Sequence, residues 1–596
     1  MANISKIKRD RMISFLDELK KTHSDDVSIG SFNEIENFLN EKKFGLVWEE
    51  HTEQVDEMLE SNIPVLCEDS ERRLCKDESL PWNFIIEGDN LQALYLLEKT
   101  HKGKVDCIYI DPPYNTGAKD WKYNNDYVDG NDVYRHSKWL SMMNVRLQTA
   151  KKLLSPDGAL ICAIDENELQ TLGLLLEELF ADYSIDCIAV IHNPGGIQGA
   201  NFSYCHEYAY FVYPKKSYYI QKEKRNDKDD LTPFRDWGKE NSKRSGSPNC
   251  FYPIMVDPEE NRVIGTGSVP DESFHPSSAN EFHNGVLLVW PIDNSGIERR
   301  WRFAYDTVGD IIDELKPVKI KGVINIQRNK RFFIRKTVWS NPLFTANNSG
   351  TQLLSKVLGN RFSFPKSLYL VKECLTACLQ KKDSLILDFF AGSGTTLHAV
   401  NLMNAEDGGN RRCIMVTNNE VSVEEAKKLT QQGYKPGDPE WEALGIAKYV
   451  TWPRSVCSIE GKDINGYPLK GEYITLSGKK INMSDGFTAN VKYFKCDWTP
   501  RKPEDYLLSN ALCLHIKEMI ELQTAQEVDG VKNVLILNRD DFNKHILNTE
   551  AFKKIENIWL NQNMVLSVEE MRLLAQKSFK YIPREYFGQE LREAAE

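Results

Sequence analysis

Asp111-Pro112-Pro113-Tyr114 follows the apolar run VDCIYI, and its residue types suit one difficult reaction. An exocyclic amine on an aromatic base is a poor nucleophile, because its lone pair is delocalised into the ring. A carboxylate and a backbone carbonyl that both accept from that amine draw it towards a tetrahedral, reactive geometry. Asp111 offers the carboxylate and Pro112 the carbonyl. Two successive prolines stiffen the loop and fix the direction of that carbonyl. Tyr114 adds a ring on which a base can stack. Four residues recur by chance, but this set stands at the carboxyl end of a predicted strand, where open parallel sheets bind ligands. The plain alternative is a rigid loop with a satisfied Asp and a packing Tyr.

A second constellation is Asp388-Phe389-Phe390-Ala391-Gly392-Ser393-Gly394-Thr395-Thr396, at a predicted strand-to-helix junction. Gly392 and Gly394 permit a tight turn and close approach of a ligand to the backbone at the helix N-terminus. Glu420 ends the next predicted strand, where an acid commonly holds ribose hydroxyls. A phosphate-binding P-loop needs a Lys that is absent, and a dinucleotide fingerprint needs a third Gly where Leu397 stands. A nucleoside with a short zwitterionic tail suits this turn, and S-adenosylmethionine is such a ligand. A purely structural glycine turn is the competing reading.

These two sets need elements to hold them. NFIIEGDN, VDCIYID and ALICAID read as short strands, with LQALYLLEKTH, HSKWLSMMNVRLQTAKKLL and ELQTLGLLLEELF as the intervening helices. IDCIAVIH and YAYFVYPKK follow as a late strand pair. The alternation predicts an α/β fold, a parallel sheet covered by helices. It then breaks into polar runs and short strands, and returns at SLILDFF, AGSGTTLHAVNLMN and RRCIMVTNNE. One sheet is therefore written in two pieces around an insert. The expected organisation is an N-terminal helical region over 1–80, a catalytic half over 81–220, an insert over 221–345, a cofactor half over 346–425, and a C-terminal domain over 426–596.

The 596 residues allow about four units of ordinary size. With 41% hydrophobic and 27% charged residues the composition is that of a globular protein. The net charge of −12 argues against a chain coated in nucleic acid, but not against a local basic groove. The 13 cysteines include no CxxC pair, so neither a disulfide framework nor a metal site is expected. Cys374 and Cys378 read as buried thiols. Without a signal core or a membrane-length apolar run, the expected location is the cytoplasm.

Together, DPPYNTG and DFFAGSGTTLHAV resemble the motifs of amino-methylating DNA methyltransferases, specifically the modification (Mod) subunits of type III restriction-modification systems. Their order resembles the beta permutation, with the catalytic half first, a target-recognition insert second and the cofactor half last. The resemblance covers about Trp82 to Glu420, and GFTANVKYFKCDW is similar to a late strand of Mod subunits. It implies a Rossmann-like, circularly permuted sheet and methyl transfer from S-adenosylmethionine to adenine N6 in duplex DNA, by base flipping. Asp111, Pro112, Pro113 and Tyr114 would hold the flipped base. Asp388, Phe389, Phe390, Gly392, Gly394, Thr395 and Glu420 would surround the cofactor. Phe364-Pro365-Lys366 resembles the segment closing over the methionine end, so Lys366 is assigned there, although Ser367 replaces the usual second proline. Asp89, at another strand end, is assigned to the base or cofactor, with a helix cap as the alternative.

The insert carries the basic stretches. KPVKIKGVINIQRNKRFFIRK runs from Lys316 to Lys336 without an acid, IERRWRF adds three arginines, and Lys239, Lys243 and Arg244 form a third cluster. Arg299, Arg300, Arg302, Arg328, Lys330, Arg331 and Arg335 are the candidate DNA contacts. No P-loop lysine or convincing nuclease motif is present, so a separate restriction (Res) helicase-nuclease subunit is the partner the resemblance implies. Apolar residues in EDYLLSNALCLHIKEMIELQ and IENIWLNQNMVLSVEEMRLLAQ suggest a homodimer; the alternative is that they cover the sheet. A solitary methyltransferase, a cytosine-N4 enzyme and an inactive DNA-specificity subunit are the rival functions. DPPY favours adenine, since cytosine-N4 loops more often begin with Ser.

Overall fold

The computed structural model describes residues 4–23, 25–40, 48, 51–123, 126–198, 201–224, 231–238, 240–475, 478–501 and 511–587. Its main sheet has ten strands. In chain order they are β1 (Asn62–Leu74), β2 (Trp82–Glu87), β3 (Val105–Ile110), β4 (Leu154–Ile164), β5 (Tyr183–Ile191), β6 (His206–Pro214), β7 (Val338–Trp339), β8 (Leu385–Asp388), β9 (Arg412–Thr417) and β10 (Asn490–Pro500). In space the order is β1-β10-β2-β9-β8-β3-β4-β6-β5-β7. β8 and β9 thus lie between β2 and β3, although the chain reaches them only after the insert. One sheet in two pieces is what the motif order predicts.

The strands from β10 through β4 run parallel. β6 runs antiparallel to both β4 and β5, and β1 antiparallel to β10, so the sheet is mixed rather than wholly parallel. The connection from His192 to Cys205 contains no helix among its described residues, and without a crossover element a neighbouring strand returns antiparallel. Alternate side chains serve opposite faces. Phe84, Ile86, Ile108, Leu160 and Cys162 pack under helices Asn90–His101, Arg135–Leu153 and Leu169–Leu179. Ile85, Cys107, Tyr109 and Ile161 pack with Cys374 and Cys378 under Leu368–Cys378 and Thr395–Asp407. Strands buried on both faces are continuous apolar runs in sequence, which is why WNFIIE and VDCIYI are readable.

Three expectations need correction. The helical reading of residues 1–80 holds for Ile4–Thr22, Asp26–Asn40 and Gln54–Ser61, but Asn62–Leu74 is strand β1. Its second half is charged and bulges between Glu68 and Arg73 before pairing again, which hides the strand pattern. The cofactor half does not end at 425, because β10 joins the main sheet between β1 and β2 and helix Trp452–Glu460 packs beside Thr395–Asp407. Nor does the whole of 221–345 stand apart, since β7 pairs with β5 at the sheet edge.

The apolar C-terminal residues offered as a dimer surface are largely covered by the chain itself. Leu512, Met519, Ile520 and Leu522 join the core under β2 and β10, and Trp559 reaches it too. Ile558 and Leu560 belong to a small parallel sheet of Asn533–Ile536, Asn557–Leu560 and Ser578–Tyr581 with its own core. Residues 502–510 lie outside the described residues. Within the insert, a four-stranded and a three-stranded sheet share a core of Phe234, Tyr252, Ile254, Trp301, Leu315 and Ile326. No helix among the described residues is long and apolar enough to cross a membrane.

Candidate active site

The carboxyl ends of β3, β8, β9 and β2 converge on a cleft of about 630 Å³. Asp111 and Pro113 line one part of it, Phe389, Phe390 and Gly392 another, and Glu420 and Asp89 a third. Two motifs separated by the whole insert therefore share one opening.

The Asp111 loop is fixed from behind. Trp139 Nε1, fully buried on helix Arg135–Leu153, donates to Pro113 O at 2.7 Å. Asn115 turns the chain at φ 57, and its Nδ2 donates to Glu168 Oε1 at 2.5 Å. Glu168 is itself buried and also meets His136 Nδ1 at 2.6 Å. Asn is among the few residues that tolerate the left-handed region, which explains its place after Tyr114.

Lys366, expected beside the cofactor, is not among the residues lining the cleft and lies with the Asp111 loop. Its Nζ donates to Glu207 Oε2 at 2.5 Å and to the Tyr114 hydroxyl, and stands 3.3 Å from Asp111 Oδ1. That buried Oδ1 accepts no hydrogen bond among the described residues. Tyr114 in turn donates to Glu207 Oε2 at 3.1 Å, and Lys366 sits 4.7 Å from its ring centroid. Burial raises the Asp111 carboxyl above its ordinary value against the pull of Lys366. Burial acts on Glu207 in the same direction, but Lys366 outweighs it and the carboxyl lies below the usual range.

The glycine turn divides into residues that face the cleft and residues that support it. Gly392 faces it at φ 48, with no atom nearer than Phe390 O, at 3.9 Å, to an added Cβ. Gly394, at φ 76, packs against Thr451, whose Cγ2 would lie 3.2 Å from an added Cβ. Asp388 is buried beneath the turn, accepting from Phe390 N at 3.0 Å and Thr396 Oγ1 at 2.5 Å, and burial pushes its carboxyl up to about 7. Thr395 is also buried and accepts from Arg454 Nη1 at 2.7 Å. Asp388, Gly394 and Thr395 thus hold the turn instead of lining the opening. Asp89 is a helix N-cap, accepting from Leu91 N at 2.7 Å, and it also lines the cleft.

Four contributors escaped sequence reading. Glu207 lies on the same buried face of β6 as Ala209 and Phe211, and an acid in that alternation is the available signal. Arg454 and Thr451 arrive from far along the chain; Thr451 Oγ1 donates to Gly392 O at 2.6 Å, and Arg454 Nη1 to Ser393 Oγ at 2.8 Å. Arg146 grips Glu53 at 2.5 and 3.0 Å and bonds Asn90, so the segment before β1 forms a wall of the cleft. Nothing local in the sequence announces the last three.

The candidate DNA residues separate in a similar way. Arg299 pairs with Asp293 at 2.8 Å, Arg300 with Asp236 at 2.9 Å and Arg328 with Glu314 at 2.6 Å. Arg335, nearly buried, pairs with Glu373 and donates to Gln221 O, tying the insert's exit to the main fold. These four hold structure. Arg302 and Arg331 are exposed, and Lys330 lies 4.9 Å from the Phe333 ring centroid. Lys239 lies outside the described residues.

A cleft joining an Asp-Pro-Pro-Tyr loop to a glycine turn, on a sheet permuted in this order, defines a class. Residues 105–428, more than half of the chain, match the N6/N4 DNA methylase family, and the chain belongs to it. The protein is a DNA methyltransferase with a Rossmann-like, permuted fold. Among its relatives, the type II methyltransferase M.KpnI of Klebsiella pneumoniae is 34% identical over 352 residues, 56% of this chain and 79% of that protein. The type III EcoPI Mod subunit of Escherichia phage P1 is 29% identical over 425 residues, 63% of this chain and 64% of that subunit. The StyLTI Mod subunit of Salmonella typhimurium is 28% identical over 395 residues, 60% of this chain and 56% of that subunit. The match thus spans less than two thirds of either Mod subunit.

Proposed function

We propose that this chain methylates adenine N6 in duplex DNA with S-adenosylmethionine, as the modification subunit of a type III restriction-modification system. The observation that carries the reading is that Asp111 and Gly392 line one cleft. The cleft's residues fit the cofactor. Gly392 presents bare backbone, Phe390 an apolar wall, and Asp89 and Glu420 acceptors for hydroxyl and amino groups. When bound, S-adenosylmethionine supplies an electrophilic methyl group on a sulfonium.

The chain's own residues then do three things. Asp111 and the Pro112 carbonyl accept from the amine of the reacting base and turn its lone pair outward. Tyr114 supplies a surface for a base drawn out of the duplex, a step that costs a few kcal/mol of unstacking. The supported turn and loop hold the two reactants at a fixed separation, so positioning carries much of the rate. Arg302, Lys330 and Arg331 are the insert residues proposed to meet DNA phosphates.

The Mod assignment draws on the EcoPI and StyLTI relatives, and with it comes a Res subunit as partner. The M.KpnI relative, matched over most of its length, favours a second reading as a solitary type II enzyme. A homodimer rests mainly on the family resemblance, since the chain covers most of the described apolar residues of its C-terminal part. Light scattering decides that point, and a monomer at micromolar concentration with DNA present rejects it. Long-read sequencing of DNA from cells expressing the chain tests the whole reading. It should show N6-methyladenine at one short recognition sequence. Methylation on cytosine, or at no sequence above background, would refute it.

A further inference from the structure

Asp111, Glu207 and Lys366 come from β3, β6 and the segment before Leu368–Cys378, and they form one enclosed charge cluster. The hydrogen bonds of Lys366 go to Glu207 and Tyr114 and not to Asp111, whose nearer oxygen stands 3.3 Å away in charge contact only. The ammonium is thus shared between two carboxylates, and the cluster carries one net negative charge. An amine attacking an electrophilic methyl develops positive charge beside Asp111. A lone Asp–Lys pair there would be neutral and would offer that charge little.

We infer that Lys366 and Glu207 are positioning residues of the methyl-transfer step: Lys366 holds Asp111 as a carboxylate, and Glu207 supplies the second negative charge that keeps Lys366 from cancelling it. The inference rests on the methyl-transfer reading and deepens it. As the amine nitrogen bonds to the methyl carbon, the methyl–sulfur bond of the donor would break and its electron pair leave on a neutral thioether. The proton lost from the amine passes to Asp111 or to solvent in the cleft, so no further reactant is required. The resemblance to known proteins assigns Lys366 to the cofactor; its partners in the structure are Tyr114, Glu207 and Asp111.

The surrounding titratable groups leave the cluster as the variable part. Tyr109, Tyr114 and Cys162 face Asp111, and burial holds all three neutral. His192, which faces Glu207 and Lys366, is kept below its usual value by burial, with Glu207 opposing and Lys366 and His206 assisting. Asp388 and Asp165 are raised by burial to about 7 and about 6, so both titrate near working pH. Lys366 lowers Asp165 and, with Glu207 and Glu166, acts on His192, so Lys366→Met also shifts Asp165 upward while Glu207→Gln leaves it in place. The opposed direction of the two shifts is therefore the diagnostic.

The test is the pH dependence of single-turnover methyl transfer from S-adenosylmethionine to duplex DNA. In Lys366→Met, two enclosed carboxylates face each other without a counter-ion. Like charges raise proton affinity, so the acidic limb should move up by about one pH unit or more. In Glu207→Gln, the whole charge of Lys366 falls on Asp111. The acidic limb should move down, while the plateau rate drops about tenfold because the negative excess is gone. A merely structural role predicts losses without opposed shifts. Limbs that stay in place, or move the same way, overturn the inference. If Lys366→Met does not fold, the near-isosteric Glu207→Gln decides alone: an unchanged or raised limb, or an undiminished plateau, rejects the idea. Absence of transfer by the wild-type protein would instead refute the proposed function.

Discussion

In the cleft, Asp111 meets Lys366 without a hydrogen bond, whereas in the insert Arg299, Arg300 and Arg328 hydrogen-bond to Asp293, Asp236 and Glu314. The first region keeps a charge available for a ligand. The second uses most of its arginines to brace small sheets. Both regions are rich in charged and aromatic residues, so composition does not separate them. What separates them is whether the local backbone fixes the side chain's direction. A strand end followed by two prolines, or a turn with Gly392 in the left-handed region, does so from sequence alone. A basic run on irregular strands does not.

The comparison breaks most readily at Asp111. Asp111→Ala should cost about 10³-fold in methyl transfer, the scale of losing a preorganised partner of the reacting group. Cofactor affinity, measured by calorimetry, should be nearly unchanged. Retention of a tenth of the wild-type rate would remove Asp111 from its role.

Next in size is the insert. Replacing Arg302, Lys330 and Arg331 together by Gln should weaken DNA binding roughly a hundredfold near 0.15 M salt and lower the slope of log K against log salt by about 3. Arg335→Gln gives the contrast. It leaves Glu373 without its nearly buried partner, so it should destabilise the fold by about 3 kcal/mol while leaving the salt slope in place. A slope change as large as that of the triple variant would show that the basic run works as a whole.

At the glycine turn, Gly392→Val should weaken S-adenosylmethionine binding by about tenfold. A branched residue at φ 48 costs about 1–2 kcal/mol, and it also intrudes on the cleft. Thr451→Val tests the support from behind. Loss of its bond to Gly392 O should reduce cofactor affinity about fivefold, equivalent to roughly 1 kcal/mol, with DNA affinity unaltered. Equal losses in both affinities would mean that Thr451 serves the fold at large.

Much of this molecule is legible in its residues because buried parallel strands are short apolar runs and the two motifs sit at their ends. VDCIYI, SLILD and RRCIMVT show their places, and the order of the motifs shows the permutation. β1 is hidden because its second half is charged and bulged. β10 is readable as a strand, but its place between β1 and β2 is not, since strand order is a property of the folded sheet. Lys366 shows the limit most clearly. Its neighbours in sequence point to the cofactor, while its partners, Asp111 and Glu207, lie more than 150 residues away and are brought together only by the fold.

The central claim is that the cleft prepares the amino group of a DNA base for methyl transfer. Duplex DNA treated with the protein and isotopically labelled S-adenosylmethionine, digested to nucleosides and analysed by mass spectrometry, tests it most directly. Label should appear in N6-methyladenine with the wild-type protein and be lost with Asp111→Ala. Label in a carbon-methylated base, or undiminished N6-methyladenine in the Asp111 variant, would contradict the account.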